Sequence, residues 1–126
     1  MEERKYLKLN DVSAYKSAFH LSNFIWEVII KWKYFAQNSV GEQFVTAIDS
    51  VSANIAEGFG RFGKKDKIRF YRIAKGSVTE CFDWNEKAKV RKLIDKKTYE
   101  YIFGELQILP KSINSLIKIT NQKLSL

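Results

Sequence analysis

The sequence predicts an all-α fold, an antiparallel up-down-up-down four-helix bundle. Three observations carry this. Apolar residues recur three and four apart over four long segments, while the strict alternation of a half-buried strand is rare. Only 6 Gly and 1 Pro punctuate the 126 residues. The links between the segments are short, which sets neighbouring helices antiparallel. With 45% hydrophobic and 29% charged side chains, the chain reads as one domain over residues 1–126, long enough to bury a core without staples.

The first segment runs from about Asp11 to Phe35. Tyr15, Ala18, Ser22, Ile25, Ile29, Trp32 and Phe35 form its stripe, and Trp26, Val28 and Ile30 widen it until only Asn23, Glu27 and Lys31 leave a polar strip. A helix apolar on most sides wants more partners than one small bundle offers; a subunit interface is the simplest remedy, and a fuller intramolecular core is the alternative. The second runs from about Gly41 to Glu57 on a stripe of Phe44, Ile48, Val51 and Ile55. Ser39 and Glu42 stand in capping-box spacing at its start, and Gly58 is placed to end it in a left-handed conformation. The third spans about Lys64 to Val90, with Phe70, Ile73, Ala74, Ser77, Val78, Cys81 and Trp84 turned inward. The fourth starts near Asp95 as N-cap and runs to about Gln122 on Tyr99, Ile102, Phe103, Leu106, Leu109, Ile113, Leu116 and Ile117. Pro110 inside it is expected to kink or split it at about Leu109.

Several function classes drop out on composition. The 1 Cys, Cys81, excludes an intrachain disulfide and a Cys zinc cage, and the 1 His, His20, excludes multi-His metal sites. No cofactor, metal or catalytic constellation is expected. No run approaches a membrane-spanning length, and the N-terminal stretch MEERKYLKLN carries no signal-peptide core, so the expected location is the cytoplasm. Glu57 and Glu80 are the carboxylates to weigh as an acid/base pair. They fall on different helices, and ion pairing with Arg61 or Arg72 is the simpler reading. Cys81 sits on an apolar stripe as a small hydrophobe, and the Trp residues are packing residues by default.

The lead is charge. The net +8 concentrates in two places. Arg61, Lys64, Lys65, Lys67, Arg69, Arg72 and Lys75 face only Asp66 in residues 61–75. Lys87, Lys89, Arg91, Lys92, Lys96 and Lys97 face only Asp95 in residues 87–97. Such local excess attracts polyanions. Lys65, Arg69 and Arg72 are spaced four and three apart and share a helix face that can span several phosphates. Asn and Gln are absent from that face, so it offers no sequence readout. Gly58, Gly60 and Gly63 match G-x-G-x-x-G, and Gly58 to Lys64 approaches a P-loop. Yet a helix rather than a strand precedes both, and Lys65 stands where a P-loop has Ser or Thr. Phe59 and Phe62 beside Arg61 read first as core anchors at a helix junction, with base stacking as the alternative.

The run Ser50 to Gly58 (SVSANIAEG), then Arg61, then Phe70 to Ser77 (FYRIAKGS) and Glu80 resembles the four-helix bundle family named for the 23S rRNA intervening sequence, also labelled S23 ribosomal protein-like. The resemblance extends from about Tyr15 to Ile119. Ser52 departs from the expected Pro, and the stretch from Cys81 to Lys92 is less typical and unusually basic. The resemblance implies a ring-shaped homopentamer and a likeness to the accessory protein of diversity-generating retroelements, a basic pentamer that binds nucleic acid and a reverse transcriptase. It brings no catalytic residues. Asn54, Glu57, Arg61 and Glu80 match its motif positions and are assigned to packing and helix-junction contacts.

The expected function is therefore a non-enzymatic homo-oligomer that binds nucleic acid, RNA in the first instance. Phosphate contacts fall to Arg61, Lys64, Lys65, Lys67, Arg69, Arg72, Lys75, Lys87, Lys89, Arg91 and Lys92. The alternative is an adaptor that docks an acidic or nucleic-acid-processing protein on the same surface.

Overall fold

A computed structural model describes residues 8–123. The first seven residues of the N-terminal stretch considered above for a signal core lie outside them. After a short 3-10 turn at Leu9–Asp11, four long helices follow: α1 (Ser13–Ile29), α2 (Glu42–Gly60), α3 (Lys64–Val90) and α4 (Lys96–Lys123). Each packs on the next, and α4 closes back on α1. Side chains show the alternating direction. Asn121 near the end of α4 lines one groove with Lys65 near the start of α3, and Asn85 Nδ2 near the end of α3 donates to Tyr99 O near the start of α4 at 3.2 Å. The expected all-α four-helix bundle is what the chain forms.

The core is one cluster drawn from all four helices. The α2 stripe is buried as its spacing requires, with Phe44, Ile48, Val51 and Ile55 joined by Ala47. Ile102, Leu106, Leu109 and Ile113 do the same for α4. Full burial of such side chains stabilises by roughly 1.5–3 kcal/mol each. Pro110 does not split α4, which runs unbroken through it. Asp95 caps α4, its Oδ1 accepting from Thr98 N–H at 2.7 Å, and hydrogen bonding from Thr98 holds its carboxyl below the usual aspartate range.

Several sequence expectations need correction. The first helix stops at Ile29 rather than Phe35. No Gly or Pro marks the stop. Gln37 Nε2 reaches back to the Ile30 and Ile29 carbonyls at 2.8 and 3.3 Å, satisfying groups the helix end leaves open. Trp32 then turns onto the core, while Phe35 is left exposed.

The second helical stretch begins earlier than expected. A helical turn at Tyr34–Ala36 and a π-helical turn at Gln37–Gly41 run straight into α2. Ser39 is therefore not an N-cap; its hydroxyl donates to Phe35 O at 2.7 Å inside the helix. Gly58 does not terminate α2 either, because the helix continues to Gly60 and no described glycine has positive φ. Its role is close approach. A Cβ there would stand 2.8 Å from the Tyr71 ring and 2.9 Å from the Lys67 carbonyl oxygen, so the missing side chain lets α2 and α3 cross tightly.

The inward face of α3 is also rotated from expectation. Ile68, Tyr71, Ala74, Val78, Cys81, Asn85 and Ala88 are buried, whereas Ile73 is exposed and Phe70 and Trp84 are partly so. Cys81 packs as the small hydrophobe its position suggests. Burial pushes its thiol well up, and the Glu80 and Asp49 carboxylates push it further, so it carries no thiolate.

Candidate nucleic-acid interface

The link between α2 and α3 is a tip of the bundle. Gly60 ends α2, Arg61 is extended, and Gly63 is the extended N-cap of α3. At this tip Arg61 donates to Glu57 Oε1 at 2.6 Å and lies 3.4 Å from Asp66. Asp66 also accepts from Arg69 at 3.0 Å. Both guanidinium groups sit over the Phe70 ring, at 4.7 Å for Arg61 and 4.4 Å for Arg69. Phe70 is thus covered by two guanidinium groups, which explains how an apolar residue rests outside the buried face. These pairs are solvent-exposed, each worth about 1 kcal/mol or less, and yield readily to a stronger anion.

Among the described residues, Lys64, Lys65, Arg72 and Lys75 have no carboxylate partner. Lys65, Arg69 and Arg72 line one open groove together with Ile68, Ile73 and, from α4, Asn121. The face that helical spacing assigns to the three cations is therefore real. Asn121 was not legible as part of it, because only the antiparallel return of α4 brings it there. It adds a side-chain amide to a surface that the sequence reading left without one.

Lys67 is differently employed. Its ammonium donates to Phe59 O at 2.7 Å and lies 3.4 Å from Gly58 O, capping the open carbonyls at the end of α2. Partial burial there holds it below the usual lysine range. Phe59 is packed against the core with that ammonium 5.6 Å from its ring centroid. Phe62, by contrast, is fully exposed, so the core-anchor reading holds for Phe59 and fails for Phe62.

The second basic segment is not brought to this tip. Lys65 and Lys89 are separated by roughly 36 Å of helix, and Lys87, Lys89, Arg91 and Lys92 crown the opposite end of the bundle. Lys87 pairs with Asp83 at 2.6 Å and lies 4.5 Å from the Trp84 ring centroid. Lys89 lies over Tyr99 at 4.2 Å. Lys92 joins Lys31 and Lys33 beside Trp32 and Phe35. Lys31 and Lys33 are far from Lys92 in sequence, and only the early end of α1 at Ile29 and the return of α3 bring the three together.

Lys92 carries a positive φ of 60°. Its N–H bonds Lys89 O at 3.0 Å, and Leu93 N–H bonds Ala88 O at 2.8 Å, the pattern of a Schellman cap that normally takes Gly. Lys92→Gly is expected to stabilise the fold by about 1 kcal/mol through relief of the left-handed strain, read as a higher urea midpoint at unchanged slope.

Of the motif residues, Ser50 and Ser77 join α2 to α3, while Asn54, Glu57 and Glu80 bond one turn away along the chain. Asn54 Nδ2 donates to the Ser50 carbonyl and hydroxyl oxygens at 2.8 and 2.9 Å, and the Ser50 and Ser77 hydroxyls meet at 2.9 Å across α2 and α3. Glu57 is held by Arg61, while Glu80 accepts from Trp84 Nε1 at 2.9 Å and not from Arg72. The two carboxylates lie roughly 20 Å apart along the bundle axis, so the structure does not assemble them into a pair. His20 is exposed on α1. No described helix is long and apolar enough to cross a membrane.

The sequence profile of the 23S rRNA-intervening sequence protein family matches residues 10–115. A crystal structure of a protein of unknown function from the S23 ribosomal protein family of Bacteroides thetaiotaomicron superposes with a TM-score of 0.73 at 22% identity, covering 83% of this chain and 98% of that one. At that identity the likeness is one of fold. No curated protein matches the sequence.

Proposed function

The chain belongs to the 23S rRNA-intervening sequence protein family, and from that premise we propose that it is a non-enzymatic, cytoplasmic homo-oligomer, in the first instance a pentamer, that binds nucleic acid, RNA foremost, through the tip where α2 meets α3. The observation that carries the reading is the set of unpaired cations there. Lys64, Lys65, Arg72 and Lys75, from the tip along the first half of α3, stand without carboxylate partners among the described residues, and Lys65 and Arg72 share a groove with Arg69 and Asn121. Phosphates satisfy such a groove without any catalytic group.

Oligomerisation is supported by a separate surface. Phe19, Trp26 and Ile30 form an exposed apolar line along α1, at 46%, 51% and 44% exposure, and Trp26 and Ile30 border a groove with Val45 and Gly41. The second reading is an adaptor that docks an acidic or nucleic-acid-processing partner protein on the same cationic surface, where Lys65, Arg69 and Arg72 share a groove. A pull-down that survives nuclease and high salt would favour that one.

The test is the salt dependence of binding to single-stranded RNA, duplex RNA and duplex DNA, on protein whose mass is fixed by light scattering. Four phosphate contacts per protomer on a single strand give a log–log slope of about −3. Absence of binding at low salt refutes the nucleic-acid reading.

A further inference from the structure

We propose that Phe62 is the platform on which an unpaired base of a single-stranded nucleic acid stacks. This rests on the nucleic-acid reading above and narrows it to strands whose bases are open. The ring of Phe62 is 102% exposed, the most exposed of the large hydrophobic side chains among the described residues. Phe59 and Phe70, its aromatic neighbours in sequence, are both engaged, Phe59 with the core and Lys67, Phe70 with the Arg61 and Arg69 guanidinium groups. Phe62 has no aromatic or cationic partner among the described residues.

The space beside it is open. The ring itself is fully exposed, and Gly60 and Gly63 stand near it in sequence without side chains of their own. Lys64 and Lys65 follow it in sequence, so a base on the ring brings its own phosphates toward two cations that have no carboxylate among the described residues, while Arg61 before it is held by Glu57 and Asp66. A symmetric contact between two copies through this tip would set Lys64 and Lys65 against their own like charges. An unpaired base suits the ring because stacking on aromatic faces is tolerant of base identity. A duplex base is already stacked on both sides and must be unstacked first.

The experiment compares wild type, Phe62→Ala and Phe62→Trp on a 2-aminopurine-containing single strand and on duplex RNA. Phe62→Ala is expected to weaken single-strand binding roughly 5- to 100-fold. Duplex affinity and the salt slope stay unchanged because no charge is removed, and Phe62→Trp restores the single-strand affinity. Quenching of 2-aminopurine by the wild type is lost in Phe62→Ala. Full single-strand affinity in Phe62→Ala, or an equal loss on duplex, overturns the stacking role while leaving the cationic interface standing. Failure of the wild type to bind any strand overturns both.

Discussion

Changing Lys65, Arg69 and Arg72 together to Glu is expected to weaken nucleic-acid binding by roughly a thousand-fold or more while the protein stays folded. Three charge-assisted contacts, each about 1.5–3 kcal/mol, account for that loss even before the repulsion of the new carboxylates is counted. All three side chains are exposed, so no core contact goes with them. Glu is a good helix former, and at position 65 it sits in the first turn of α3, where negative charge is favoured. A new carboxylate at position 69 beside Asp66 costs back part of that gain. Circular dichroism and a melting curve close to wild type, with binding lost at low salt, is the expected pair of results. Retained affinity would move the interface elsewhere, most directly to the opposite end that carries Lys31, Lys33 and Lys92.

The second large effect is on stability. Gly58→Ala is expected to lower the unfolding free energy by about 2 kcal/mol or more, since the added methyl meets the Lys67 carbonyl and the Tyr71 ring inside normal contact distance. A backbone carbonyl cannot rotate away as a side chain can, so α2 and α3 must part at their tightest crossing. Gly76→Ala in α3 is the control. A Cβ there meets nothing within 4 Å, so the same chemical change gains roughly 0.5–1 kcal/mol of helix propensity. Urea titration of the two variants should therefore move the midpoint in opposite directions.

The stripes that were legible in the sequence are those where helical period and hydrophobicity agree, as in α2 and α4. In α3 they disagree. Phe70 and Ile73 look like core and lie outside, whereas Asn85 is buried with its Oδ1 unpartnered. The Arg61 and Arg69 guanidinium groups cover Phe70, and Arg61 lies outside α3, where no periodicity within that helix reveals it. The end of α1 was illegible for a similar reason, because its stop is set by an amide eight residues downstream rather than by a breaker. The cationic face of Lys65, Arg69 and Arg72 was legible because all three lie on one helix. Asn121, Lys31 and Lys33 were not, since tertiary return alone places them. Lys67 shows the converse: sequence supplied the charge, and the fold spent it on carbonyls.

The π-helical turn at Gln37–Gly41, closed by the Glu42 N–H on the Gln37 carbonyl, holds one residue more than an α-helical turn would. Removing a residue within it would wind the stretch into ordinary helix and swing Tyr34 and Phe35 by about 100° around its axis. Gln37 would then leave the Ile29 and Ile30 carbonyls, and Gly41 would leave the end of α1, whose Ile29 side chain fills the place of its absent Cβ. Length is thus fixed at this corner by angular phase. The link from Gly60 to Gly63 has no such phase to keep, and insertions and deletions among related chains should accumulate there in preference to the π-turn.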